Sequence, residues 1–165
     1  MRFTGVFLLV FLVVTVYSVT DAATYQTIEG RSGPLKRNDG SAHPRRGELG
    51  PGDNLRWADL ADANLQRADL KFADLRNANF EGANLFGATL RRAAVGGAGF
   101  GGANLNQCDL SGAQLDGADF RGSLNWKDAD WENATYLRGV EPRWPEGFCP
   151  KSAGIQVEDP LEKKK

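Results

Sequence analysis

The residue types that carry most enzyme chemistry are few in this 165-residue chain, and their spacing does not suit them to it. The single histidine, His43, stands before Pro44 in a stretch rich in Gly, Pro, Arg and Ser, where a lone imidazole is a solvated side chain and not a positioned base. The two cysteines, Cys108 and Cys149, lie far in sequence from His43 and from each other, so no metal-ligand spacing exists. A nucleophilic arrangement needs a base held in place, so the sequence names no catalytic, cofactor-binding or metal-binding residue, and no cofactor is expected. Carboxylates are plentiful, yet Asp59, Asp69, Asp74, Asp109 and Asp119 recur at one repeated position, where a short side chain bonds to nearby backbone N–H groups. Gly96-Gly97-Ala98-Gly99-Phe100-Gly101-Gly102 superficially suggests a phosphate loop, but no Lys follows and no strand-to-helix context frames it. Gly96, Gly97, Gly101 and Gly102, with Arg91 and Arg92 on the preceding repeat, instead form a side-chain-poor strip that is the candidate docking surface.

A period of five positions all of these residues. Leu55, Leu60, Leu65, Leu70, Leu75, Phe80, Leu85, Leu90, Val95, Phe100, Leu105, Leu110, Leu115 and Phe120 form an unbroken series of large apolar residues. Two residues before each stands a small one: Ala at most positions, Cys108 at one and Asp53 at the first. Neither the helical period of 3.6 nor the strand period of 2 accommodates this series. A chain that turns a corner every five residues, four corners to a coil, points every centre at one axis. Phe80, Phe100 and Phe120 are each twenty apart, as are Asn64, Asn84 and Asn104, so phenyl rings and amides are expected to stack coil on coil.

Units such as Ala63-Asn64-Leu65-Gln66-Arg67 and Ala68-Asp69-Leu70-Lys71-Phe72 resemble those of the pentapeptide-repeat family. The resemblance covers about half of the chain and implies an all-β fold, a right-handed quadrilateral β-helix of about four coils. It does not imply one activity, because such members share a scaffold and not a chemistry. Some family members mimic DNA and bind topoisomerases in the cytoplasm, which is the alternative function here. Against it stand the exposed cations expected on the first coils, Arg56, Arg67, Lys71, Arg76, Arg91 and Arg92, which a polyanion mimic should avoid.

The segments around the repeats complete the expected organisation. Residues 1–22 read as a signal peptide, with Arg2 before the apolar run 3–19 and small residues at Ala22-Ala23; an uncleaved signal anchor is the rival. Residues 23–52 read as a flexible linker, with a cap over Trp57 and Phe72 as the sharper alternative. The β-helix is placed at 53–136, with a one-residue bulge near Ser123 and new centres at Trp126, Trp131 and Tyr136 behind Leu124, Ala129 and Ala134. Residues 137–157, with Trp144-Pro145-Glu146-Gly147-Phe148, read as a C-terminal cap, and 158–165 as a charged tail.

The net charge of -1 suits neither a nucleic-acid binder nor a disordered polyelectrolyte. Export, to a periplasm, lumen or exterior, makes a disulfide conceivable, while the inward position of Cys108 speaks against one. Asn133-Ala134-Thr135 is a glycosylation sequon that matters only on a eukaryotic secretory route. The expected function is that of a non-catalytic exported scaffold or protein-binding module. Its partner is another protein, with no nucleic acid, membrane contact only through an uncleaved leader, and a homodimer through a coil end as a further arrangement.

Overall fold

The structure, a computed structural model, describes residues 24–26, 32–34, 36–37 and 49–160. The expected leader, His43 and the end of the charged tail lie outside the described residues, as does most of the expected linker.

One local event repeats from Leu55 onward. The carbonyl of each central residue accepts the N–H three residues later, as in Ala58 N–H to Leu55 O at 3.0 Å and Ala83 N–H to Phe80 O at 3.0 Å. The residue just before that donor has positive φ, 63° at Trp57 and 66° at Gly82. This is the geometry of a type II turn, which places left-handed backbone at its third residue. Glycine fills that position at Gly82, Gly87, Gly97, Gly102, Gly112, Gly117 and Gly122, while Trp57, Asp62, Arg67, Phe72, Asn77, Arg92 and Gln107 hold it at some steric cost.

Parallel bridges join residues twenty apart, from Asn54 with Asp74 through Gly99 with Asp119 and Asn104 with Leu124. Five residues per side and twenty per coil give four sides. All fourteen predicted centres point inward, none more than 6% exposed. Eleven of the preceding alanines and Cys108 are also buried, whereas Ala68 is only partly so. The rings of Phe80 and Phe100 stack at 4.9 Å, and those of Phe100 and Phe120 at 4.6 Å. The amide ladder forms in part: Asn104 Nδ2 donates to Asn84 Oδ1 at 3.2 Å, and Asn125 Nδ2 donates to Asn104 Oδ1 at 2.8 Å.

Phe72 is the bulkiest test of the turn chemistry after Trp57, at φ 60° with its ring 58% exposed. Phe72→Gly is expected to raise the thermal midpoint by about 2–4 °C. Relief of left-handed strain, about 1–2 kcal/mol, exceeds the entropy that glycine adds to the unfolded chain, about 0.4–1 kcal/mol. A melt followed by circular dichroism checks the sign.

The register shifts later than the sequence suggests. Leu124 still pairs with Asn104, twenty residues back, while Asp130 pairs with Asp109, twenty-one back. The extra residue therefore enters at the 3₁₀ turn Trp126–Asp128, after Asn125 at φ 55°, and not at Ser123. Ser123 keeps the small inward position, 6% exposed, its hydroxyl donating to Phe120 O at 2.8 Å. Leu124, expected at that inward position, is 53% exposed. A bulge at Ser123 would have broken the bond from Leu124 N–H to Ala103 O, 2.8 Å, whereas a tight turn at the next corner absorbs the residue without touching the ladder. Trp126 accordingly begins the turn, and Trp131, 4% exposed, is the next true centre.

Coil geometry also continues past 136. Strand β5, Thr135–Leu137, pairs in parallel with β6, Gln156–Glu158, and Arg143 bridges to Asp119. Trp144 thereby stacks on Phe120 at 5.7 Å and 7°, a fourth ring in the phenyl column. Residues expected as a separate cap thus add an irregular further coil.

At the opposite end the segment expected to be a linker contains paired backbone. Strands β1, Thr24–Gln26, and β2, Ser32–Pro34, run antiparallel to each other, and β3, Lys36–Arg37, pairs antiparallel with β4, Ala58–Asp59, of the first coil. The first coil has an open edge there, and a short strand that covers part of it satisfies backbone groups no internal coil can reach.

Candidate functional site

With its interior filled, the solenoid can meet other molecules only at its corners, sides and ends. The Asx residues that precede ten of the fourteen centres lie on the sides, and their carboxylates and amides are committed to the turns: Asp59 Oδ1 accepts Ala61 N–H at 3.3 Å, and Asp109 Oδ1 accepts Ser111 N–H at 2.9 Å. Asp69, Asp74 and Asp119 accept in the same way from Lys71, Arg76 and Arg121. The recurring aspartates are therefore structural.

Two of them also hold an arginine two residues on. Arg76 binds Asp74 through Nε at 2.7 Å and Nη2 at 2.5 Å, and Arg121 binds Asp119 through Nε at 2.9 Å and Nη2 at 2.6 Å. The Arg121 guanidinium holds the Asp119 carboxyl down at about 2, and Arg76 lowers Asp74 likewise. A carboxyl lowered by folding stabilises the fold above its unfolded value, about 3.9, and the contribution is lost as pH falls through the folded value. The thermal midpoint is expected to decline between about pH 4 and 2, and Asp119→Asn to flatten part of that decline while costing stability at neutral pH. Melts at stepped pH on both proteins check it.

The predicted docking strip is not one surface. Arg91 and Arg92 occupy the corner after Leu90, Gly96 and Gly97 the corner after Val95, and Gly101 and Gly102 the corner after Phe100, so the six residues wrap round three successive corners. Gly97 is covered by its neighbour in the column, since a Cβ there would lie 2.4 Å from Asn77 Oδ1. Gly101 alone of the six lines a groove of about 240 Å³, shared with Asn79, Glu81, Gly99, Asp119 and Arg121. Reading the sequence at a spacing of twenty reveals that groove: Asp59, Asn79, Gly99 and Asp119 form one column, and Gly99 is its missing side chain.

The aromatic end carries a second concavity, about 440 Å³, walled by Trp126, Trp131 and Phe148 and rimmed by Lys127, Asp130 and Cys149. Trp131 meets Phe148 edge-on at 5.2 Å, and Trp144 stacks on Phe148 at 4.6 Å. Both cysteines are free thiols. Cys108 is buried and pushed up to about 12 by desolvation, while exposed Cys149 is lowered by a hydrogen bond from the Ser152 hydroxyl, 3.3 Å from its Sγ. Asn133 of the sequon is exposed, and its Oδ1 accepts from Gln156 Nε2 at 3.0 Å. Among the described residues no group of three or more His, Cys, Asp or Glu is placed to hold a metal ion, and no helix is long and apolar enough to cross a membrane.

Side-by-side turns of five residues, bridged every twenty, define a β-helical solenoid. The family described as pentapeptide repeats matches in eight copies over residues 54–92 and 90–124. A pentapeptide repeat protein of the Arabidopsis thaliana thylakoid lumen is 32% identical, over 53% of this chain and 67% of that one, with a TM-score of 0.26. Another from Nostoc PCC 7120 is 31% identical, over 66% of this chain and 80% of that one, with a TM-score of 0.24. QnrB1, a plasmid-mediated fluoroquinolone resistance protein, is 17% identical, over 70% of this chain and 64% of that one, with a TM-score of 0.42. A comparison with curated proteins returns no match. The chain belongs to the pentapeptide-repeat family, whose fold is the right-handed β-helix.

Proposed function

We propose that this protein is a non-catalytic exported scaffold that binds another protein through its outer surface. The observation that carries the reading is the filled axis: fourteen centres no more than 6% exposed leave no interior cleft in the regular coils for a substrate, so recognition falls to corners, sides and ends. In this reading the cluster of Trp131, Trp144 and Phe148 is a lid that covers the last coil, and the two ends differ, which favours a single rod over an end-to-end pair. Export is supported by Arg2, the apolar run 3–19 and the small residues Ala22-Ala23. The exposed cations at Arg56, Arg67, Arg76, Arg91 and Arg92 disfavour a role as a DNA mimic.

Fractionation of producing cells, with amino-terminal sequencing of the recovered protein, tests this reading. Recovery in the exported compartment with a new terminus near residues 23–24 is expected. Cytoplasmic recovery with Met1 intact, together with inhibition of supercoiling by the purified protein, would replace the proposal with the topoisomerase reading.

A further inference from the structure

Two bulky aromatic residues occupy left-handed corner positions that glycine fills in half of the regular turns. Trp57 at φ 63° and Phe72 at φ 60° are 49% and 58% exposed, so neither repays its backbone strain with core packing. Strained positions with no structural return point to a role at a surface. The register puts them at the two ends of one side: the corner at 71–72 leads through Ala73, Asp74 and Leu75 to the corner at 76–77, directly above 56–57. Each lies beneath a cation of the next coil. Trp57 N–H donates to Arg76 O at 3.0 Å, and Phe72 N–H donates to Arg91 O at 3.0 Å.

Those two corners together carry Arg56, Lys71, Arg76, Arg91 and Arg92, against Asp69, Asp74 and Asp53. Lys71 and Arg76 are held by Asp69 and Asp74, while Arg91 and Arg92 are exposed and make no ion pair among the described residues. Both aromatic side chains are exposed at the two corners that bound this side, and cation-bearing corners of the next coil lie above both. Exposed Trp and Phe beside arginines that no carboxylate holds are the combination that anionic headgroups receive, rings among the headgroups and guanidinium groups on phosphate.

We infer that this side of the first coils docks on an anionic lipid surface, Trp57 and Phe72 entering the headgroup region and Arg91 and Arg92 meeting lipid phosphates. The inference is independent of export and of any protein partner.

Co-sedimentation with vesicles tests it, using the protein as recovered from producing cells. Partition into phosphatidylcholine vesicles containing about 30% phosphatidylglycerol is expected to exceed partition into pure phosphatidylcholine by about tenfold or more, and to weaken as salt rises to about 0.5 M. Arg91→Glu with Arg92→Glu is expected to lower that partition about tenfold or more. Trp57→Gly with Phe72→Gly should lower it comparably, with the melting midpoint kept or raised, which separates lost docking from lost folding. Equal binding to neutral vesicles, binding insensitive to both double variants, or no binding to the anionic vesicles would each overturn the inference. Capture by immobilised polyglutamate without vesicle binding would assign the surface to an acidic polypeptide and overturn it as well.

Discussion

Leu85→Asp is expected to leave the chain without cooperative structure at neutral pH. Leu85 is fully buried on the axis, in the column that holds Leu65 one coil below and Leu105 one coil above. Replacing it removes about 2–5 kcal/mol of burial and packing, and the carboxylate adds the cost of a buried, unpaired charge, several kcal/mol more. A domain of this size has about 5–15 kcal/mol to lose. The damage also spreads, because each coil is supported only by its neighbours and by the caps at the two ends. Far-ultraviolet circular dichroism without a thermal transition is the expected record. A variant that melts like the parent would mean that Leu85 does not face the axis, and the four-sided coil would fall with it.

How much of this was legible beforehand depends on whether one residue or many set the outcome. The axis was legible because fourteen large residues at one spacing admit a single solution, and the stacked Phe80, Phe100 and Phe120 followed from the same arithmetic. The irregular end was not. There the register depends on a single added residue, and Ser123 and Asn125 offer a bulge or a tight turn with little to choose between them in sequence. The hydrogen bond of Leu124 to Ala103 decides it, and that bond belongs to the neighbouring coil and not to the local sequence. Trp144 joins the phenyl column for a similar reason, twenty-four residues after Phe120, where no period predicts it.

The outward surface was the least legible part. The glycine strip was inferred from adjacency in sequence, but neighbours in sequence fall on successive corners, and neighbours on the surface are twenty apart. Gly99 between Asn79 and Asp119 opens the groove described above, which Gly96, Gly97, Arg91 and Arg92 do not line. The left-handed turn position was equally hidden, because five of its occupants, Trp57, Arg67, Phe72, Arg92 and Gln107, are residue types that carry no sequence sign of positive φ.

Phe100→Ala is the second large effect, and it measures the column itself. Phe100 is fully buried between Phe80 at 4.9 Å and Phe120 at 4.6 Å, with interplanar angles of 8° and 14°. Truncation opens a cavity that the two neighbouring rings cannot fill, since their backbones are fixed by bonds such as Phe80 N–H to Gly99 O and Phe100 N–H to Asp119 O, both 2.8 Å. The expected cost is about 3–5 kcal/mol, with about 0.5–1.5 kcal/mol of ring stacking within it, and a midpoint lower by on the order of 10–20 °C. Phe100→Leu separates the contributions. Leucine is the usual centre of this rod, so it restores most of the volume without the ring and should cost about 1.5 kcal/mol or less. Phe72→Ala, at an outward corner, supplies the reference for an aromatic that packs on little. If Phe100→Ala destabilises no more than Phe72→Ala in chemical and thermal unfolding, the phenyl column contributes nothing beyond an exposed ring, and the axis must be held by the backbone ladder alone.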